Sequence, residues 1–136
     1  MARAALVVTG TEVLEGRVRD ENGAAVAASL SAHGVEVTRI TVVGDGLDDI
    51  TAAVGTALAT DVDLVVTTGG LGPTHDDRTM EAVARATGCG LSVSDEALAL
   101  VQRALTGVPA RASRRPCPMA PSCSRLPGRR PVRWCG

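Results

Sequence analysis

Along most of its length the chain alternates short apolar runs with longer segments whose apolar positions recur at helical spacing. The run "RAALVVTG" (3–10) is continuous, apolar and closed by glycine, which predicts a strand buried on both faces. "DENGAAVAASLSAHG" (20–34) has apolar residues at 24, 26, 27, 28 and 30 and ends in Gly34, a natural helix stop. "VEVTRITVV" (35–43) is β-branched and partly alternating, and predicts a second strand. "GDGLDDITAAVGTALAT" (44–60) opens with turn residues and continues as a helix, with Asp48 and Asp49 well placed in its first turn. "DVDLVVTT" (61–68) is a third buried strand. "RTMEAVARATG" (78–88) reads as a helix stopped by Gly88, and "SDEALALVQRALTG" (94–107) as another with Ser94 as N-cap.

Strands that alternate with helices imply crossover connections and a largely parallel sheet, hence an α/β fold with helices on both faces. Ligands of such sheets bind beyond the carboxyl ends of the strands. That rule selects three loops: "TGTEVLEG" after the first strand, "VGDG" after the second, and "TTGGLGPTHDD" after the third. Each carries acid, namely Glu12, Asp45, and the adjacent pair Asp76 and Asp77.

Composition narrows the chemistry. The 136 residues are the length of one domain, and with one Trp and no Phe or Tyr the core must be built from Val, Leu, Ile and Ala. There is no lysine, which removes Schiff-base chemistry and a Walker-type phosphate loop together. No apolar run is long enough for a membrane span, and the first residues lack a signal peptide's pattern, so a cytoplasmic location is expected. The net charge of −1 hides a division along the chain. Residues 1–107 hold all 15 acids and half of the 14 arginines, whereas residues 108–136 hold the other half and no acid. The cysteines (Cys89, Cys117, Cys123 and Cys135) form no CxxC pair and suggest neither a zinc site nor a disulfide framework; Cys89 reads as an inert, partly buried thiol.

In the third loop, Gly69, Gly70 and Gly72 permit positive φ and close approach of backbone N–H groups to a ligand. Together with the start of the next helix they make a cradle for an anion such as phosphate, and Pro73 stiffens the return. The spacing is not GxGxxG, so a nicotinamide dinucleotide site is unsupported. Acids beside such a cradle would repel a bare polyanion, and a divalent cation between them resolves the conflict, since magnesium-type ions take one or two carboxylates plus phosphate oxygens. Structural roles stand beside these: Asp77 as a helix cap, Glu12 as a solvated acid, Asp45 as a turn residue, His75 as a solvent-facing side chain.

The loop "TTGGLGPTHDDRT", with "VTGTEVLEGRVRDENG" and "TVVGDGLDDI" upstream, resembles the N-terminal domain of the CinA (competence-damage-inducible) family, within the MoaB/MogA-like molybdopterin-binding superfamily. The likeness covers roughly residues 3–107. Gly69, Gly70, Gly72, Thr74, Asp76, Asp77 and Thr79 stand on the G-G-L-G-P-T-x-D-D-x-T motif; Thr9, Gly10 and Glu12 match the first-loop motif; Asp45 and Asn22 match positions after the second strand and at the start of the first helix. The resemblance implies a three-layer α/β/α Rossmann-like sandwich that binds a phosphorylated nucleotide or pterin. It also implies metal-dependent hydrolysis of a pyrophosphate in ADP-ribose-like compounds. Asp45, Asp76 and Asp77 would be catalytic, Asp76 and Asp77 would hold a Mg2+-like metal, and Thr9, Gly10, Glu12, Gly69, Gly70, Gly72, Thr74 and Thr79 would bind the ligand. The relatives are commonly oligomeric. The rival readings are a molybdopterin adenylyltransferase, disfavoured by Leu71, Pro73 and the aspartate pair, and a binding remnant without catalysis.

The resemblance stops where "RRPCPMAPSCSRLPGRRPVRWCG" begins. Arg, Pro, Cys and Ser without acids are what GC-rich coding DNA yields out of register. Back-translated and read one base earlier from Pro116, the tail accommodates "ALPDGAVVLPAPGTAPG", similar to the family's continuation. A domain over residues 1–112, truncated, and a disordered, out-of-frame tail over 113–136 are therefore expected, with no nucleic-acid arm.

Overall fold

The computed structural model describes residues 1–72, 74–93, 95, 99 and 119–122. Strand β1 (Ala2–Thr9) is followed by a one-turn helix α1 (Thr11–Leu14), helix α2 (Asn22–Ala32), strand β2 (Val35–Val43), helix α3 (Leu47–Ala59), strand β3 (Leu64–Thr68) and helix α4 (Thr79–Thr87). Strands β4 (Gly90–Val93) and β5 (Met119–Ser122) come last. β1, β2 and β3 form a parallel sheet in the order β2-β1-β3, as the alternating pattern predicts.

β1 is central, and it reads as an unbroken apolar run because both of its faces are covered. Ala4, Leu6 and Val7 have no exposed surface, and Val8 is 2% exposed. Ala5 and Val7 pack with Leu47, Ile50, Val54 and Ala57 of α3 and with Ala82 and Val83 of α4. Val8 faces the opposite layer, where α2 approaches so closely that a Cβ on Gly23 would lie 2.8 Å from a Val8 methyl. The α/β/α sandwich follows from this two-sided burial. Each fully buried Val or Leu contributes roughly 1.5–3 kcal/mol, so an aliphatic core without aromatic rings is adequate where it is continuous. β2 carries a bulge, since Ala4 and Ala5 pair with Val37 and Arg39 and skip Thr38. The skipped residue compensates by donating its hydroxyl to the Ala4 carbonyl at 3.1 Å.

Gly34 and Gly88 follow α2 and α4 as their predicted stops, and Asp48 and Asp49 lie in the first turn of α3. Three elements were not expected. α1 is a single turn and β4 has four residues, both too short for periodicity to register. β5 corrects the expectation that the tail packs nowhere, because Met119–Ser122 pairs antiparallel with β4. The expectation for Cys89 is corrected too: it is disulfide-bonded, with its partner outside the described residues. Spacing alone failed here because Cys89 belongs to no short-range cysteine motif. Of the helix expected over 94–107, all but Asp95 and Ala99 lie outside the described residues, as do Pro73 and the rest of the 113–136 segment.

Candidate functional site

The three loops singled out by the sheet rule converge. A cavity of about 570 Å³ opens at the carboxyl ends of β1, β2 and β3. Of the residues expected to act there, Thr9, Gly10, Glu12, Asp45, Gly69, Gly70, Asp76 and Asp77 line it, and so does Asn22. Gly72, Thr74 and Thr79 do not. The sequence reading missed Arg19, Asp20 and Glu21, which lead into α2 and form one wall. Their signal was the polar run "RVRDEN" just before a helix that begins at the ligand-binding end of the sheet.

The floor is the turn Gly69–Gly70, where φ is +87° and +61°. These are left-handed conformations that glycine alone adopts at little cost. Space makes the same demand: a Cβ on Gly69 would run into the Thr9 carbonyl, and one on Gly70 into the Thr79 hydroxyl. Two buried threonines hold the turn from below. Thr79 is fully buried and Thr9 is 5% exposed. The Thr79 hydroxyl donates to the Gly69 carbonyl at 2.8 Å, and the Thr79 N–H donates to the Gly70 carbonyl at 3.2 Å. Since a hydroxyl has one proton, Thr9 supplies the one shared between the Thr68 carbonyl (3.2 Å) and Thr79 Oγ1 (3.3 Å). Thr79 thus braces the loop from behind and offers a ligand no surface.

The acids divide by what they already do. Asp45 and Thr11 exchange two bonds: the Thr11 N–H donates to Asp45 Oδ2 at 2.9 Å, and the Asp45 N–H donates to Thr11 Oγ1 at 3.1 Å. Asp45 therefore caps α1 from a different loop, tying the first loop to the second. Thr74 lies outside the cavity lining but holds Asp77, with both its N–H and its hydroxyl donating to Asp77 Oδ2. Gly72 contributes by lacking a side chain, since a Cβ there would sit 2.5 Å from Asp77 Oδ2. Asp76 is exposed and pairs with His75 at 3.1 Å. Glu12 folds over Gly10, whose added Cβ would meet its Oε1 at 3.0 Å. Asp20 occupies the start of α2, accepting from the Gly23 N–H at 2.9 Å.

The lining is strongly acidic, with Glu12, Asp20, Glu21, Asp45, Asp76 and Asp77 set against Arg19. Among the described residues no three His, Cys, Asp or Glu side chains converge as a metal cage. Asp76 and Asp77 are of the donor type a magnesium-type ion takes, since that ion binds one or two carboxylates and completes its shell with ligand phosphates and water. Also among the described residues, no helix is long and apolar enough to cross a membrane.

Comparison with known proteins identifies the family and the fold. Residues 5–129 match the family described as "Probable molybdopterin binding domain". Over 95 residues the chain is 53% identical to a CinA-like protein of Mycobacterium tuberculosis, a stretch that is 70% of this chain and 22% of that relative. The chain thus spans about a fifth of the length of the curated relatives it matches. Among solved structures, CinA of Thermoplasma acidophilum superposes with a TM-score of 0.70 at 36% identity, covering 84% of this chain and 70% of that one. The molybdopterin biosynthesis Mog protein of Mycobacterium ulcerans gives 0.65 at 28% identity, covering 85% and 74%.

Proposed function

From the premise that this chain belongs to the molybdopterin-binding domain family, on its CinA-like branch, we propose that its cavity takes the phosphate groups of a small phosphorylated nucleotide or pterin. The observation that supports this reading most directly is the braced Gly69–Gly70 turn at the cavity floor. Successive peptide N–H groups held in a turn can form an anion-binding concavity from backbone alone. That matters here because the lining offers one arginine and six acids.

In the intact domain we assign the site to hydrolysis of a pyrophosphate in an ADP-ribose-like compound. A divalent cation held by Asp76, Asp77 and the diphosphate would neutralise charge as the P–O bond breaks. The chain's own residues prepare the site. Thr74 and the bare face of Gly72 fix the Asp77 carboxylate, the Asp45–Thr11 exchange fixes the first loop, and Glu12 stands at the rim. The likeness to the Mog protein, a molybdopterin biosynthesis protein, supports a second reading within that biosynthesis, adenylyl transfer from ATP to molybdopterin, with a non-catalytic binding domain as the third.

Calorimetry of the full chain with ADP-ribose, then ATP, each with magnesium and again after chelation, tests the binding reading. AMP release from ADP-ribose separates hydrolysis from binding alone, and an adenylylated pterin from ATP plus molybdopterin marks transfer. Failure to bind any phosphorylated compound with the metal present would overturn the proposal.

A further inference from the structure

Three successive carbonyls at the cavity floor, those of Thr68, Gly69 and Gly70, are all held by two buried residues, Thr9 and Thr79. This arrangement has a directional consequence. A trans peptide is planar, with its C=O and N–H pointing in opposite directions. Drawing the Gly69 carbonyl onto the Thr79 hydroxyl turns the Gly70 N–H away from Thr79. Drawing the Gly70 carbonyl onto the Thr79 N–H does the same for the Leu71 N–H. Gly69 and Gly70 line the cavity, whereas Thr79 lies behind them.

Thr79 is also the first residue of α4, so the start of that helix and the glycine turn are locked to each other through one side chain. The residue is fully buried, and its hydroxyl oxygen lies within hydrogen-bond distance of both Gly69 O and Thr9 Oγ1. Serine would keep the donor and lose a methyl group. Valine would keep the shape and leave the Gly69 carbonyl without its donor.

We infer that Thr79, seconded by Thr9, is a positioning residue that aims the peptide N–H groups of the glycine turn at the ligand's phosphate. The inference rests on the phosphate-binding reading above and extends it from the lining to the layer behind. Thr79 acts through the backbone and touches no ligand.

The test uses the full chain as wild type, Thr79→Val, Thr79→Ser and Thr87→Val. The last is a control in the same helix: the Thr87 hydroxyl is buried and donates to carbonyls of its own helix, those of Val83 at 2.8 Å and Ala84 at 3.2 Å. The probe is inorganic pyrophosphate with magnesium, followed by calorimetry. Thermal melting and exchange of the Gly70 amide with solvent are measured in parallel. Thr79→Val is expected to weaken pyrophosphate binding by about tenfold or more, the scale of a misdirected hydrogen bond to a charged group. Thr79→Ser should restore most of that affinity, and Thr87→Val should lower the melting temperature without changing affinity. Faster Gly70 exchange in Thr79→Val alone would locate the change in the turn. Wild-type affinity in Thr79→Val, or equal losses in the Val and Ser variants, would overturn the positioning role while leaving the phosphate reading intact. A wild-type chain that does not bind pyrophosphate would overturn both.

Discussion

Replacing Gly69 with alanine tests the loop geometry with a built-in comparison. Gly34 and Gly69 have similar left-handed backbones, with φ of +74° and +87°. They differ in surroundings: a Cβ on Gly34 meets nothing within 4 Å, whereas one on Gly69 meets the Thr9 carbonyl and, at 2.7 Å, the Thr9 hydroxyl. Both variants therefore incur the left-handed strain of an L-residue, roughly 1–2 kcal/mol. Gly69→Ala alone adds a clash with backbone, which cannot rotate aside and lies on the central strand. Overpacking of that kind costs typically about 1–3 kcal/mol more.

For a domain of this size each kcal/mol shifts the melting temperature by roughly 3–5 °C. Gly69→Ala should thus melt below Gly34→Ala, by about 3 °C at the least if the extra cost is near 1 kcal/mol. Function should separate them further. Gly34→Ala lies at the far end of α2 and should bind pyrophosphate with magnesium as wild type does, whereas Gly69→Ala should lose binding even where it is folded. Circular dichroism melts and calorimetry on both chains provide the readings. Equal melting temperatures, or retained binding in Gly69→Ala, would refute the claim that Thr9 and the turn are in enforced contact.

The fold was legible where the chain's pattern is long or its constraints are local. β1 announced itself because a strand covered on both faces has no polar positions to alternate with, and β2 because seven of its nine residues are β-branched. The convergence of Glu12, Asp45, Asp76 and Asp77 was also legible, because parallel strands put their following loops at one end. The division of labour among the loop residues was not. Nothing in "GPTHDDRT" says that Thr79 turns inward to a carbonyl while Thr74 secures the neighbouring aspartate. Such roles depend on where α4 starts relative to β1, a distance set by packing across 70 residues of sequence. The Asp45–Thr11 exchange was hidden for the same reason, since each partner alone looks like an ordinary turn residue.

The remaining predictions concern the acids and the tail. On the proposed hydrolysis, Asp77→Asn should abolish pyrophosphate cleavage with the fold intact, since the amide oxygen still accepts from Thr74; turnover within about twofold of wild type would return Asp77 to a purely structural role. Asp45→Ala removes a bond from the start of α1 and should cost roughly 1 kcal/mol in urea unfolding, while Asp45→Asn should be near neutral in stability; a stable Asp45→Ala chain would discard the clamp. For the tail, β5 adds only four residues to a two-stranded pairing, one of them Pro121, which lacks an N–H, and its partner β4 leaves Val93 57% exposed. A two-stranded unit is marginal by itself. The out-of-frame reading therefore predicts that re-reading the DNA around codon 115 recovers the family's continuation. A chain carrying "ALPDGAVVLPAPGTAPG" in place of the tail should then melt cooperatively at higher temperature and scatter less light than the chain as written. Val and Leu returned to the core at roughly 1.5–3 kcal/mol each are large against a domain's net stability of about 5–15 kcal/mol. Coincident melts of the two chains, both monodisperse, would show that the tail as written supplies what the sheet needs, and the out-of-frame reading would lose its structural basis.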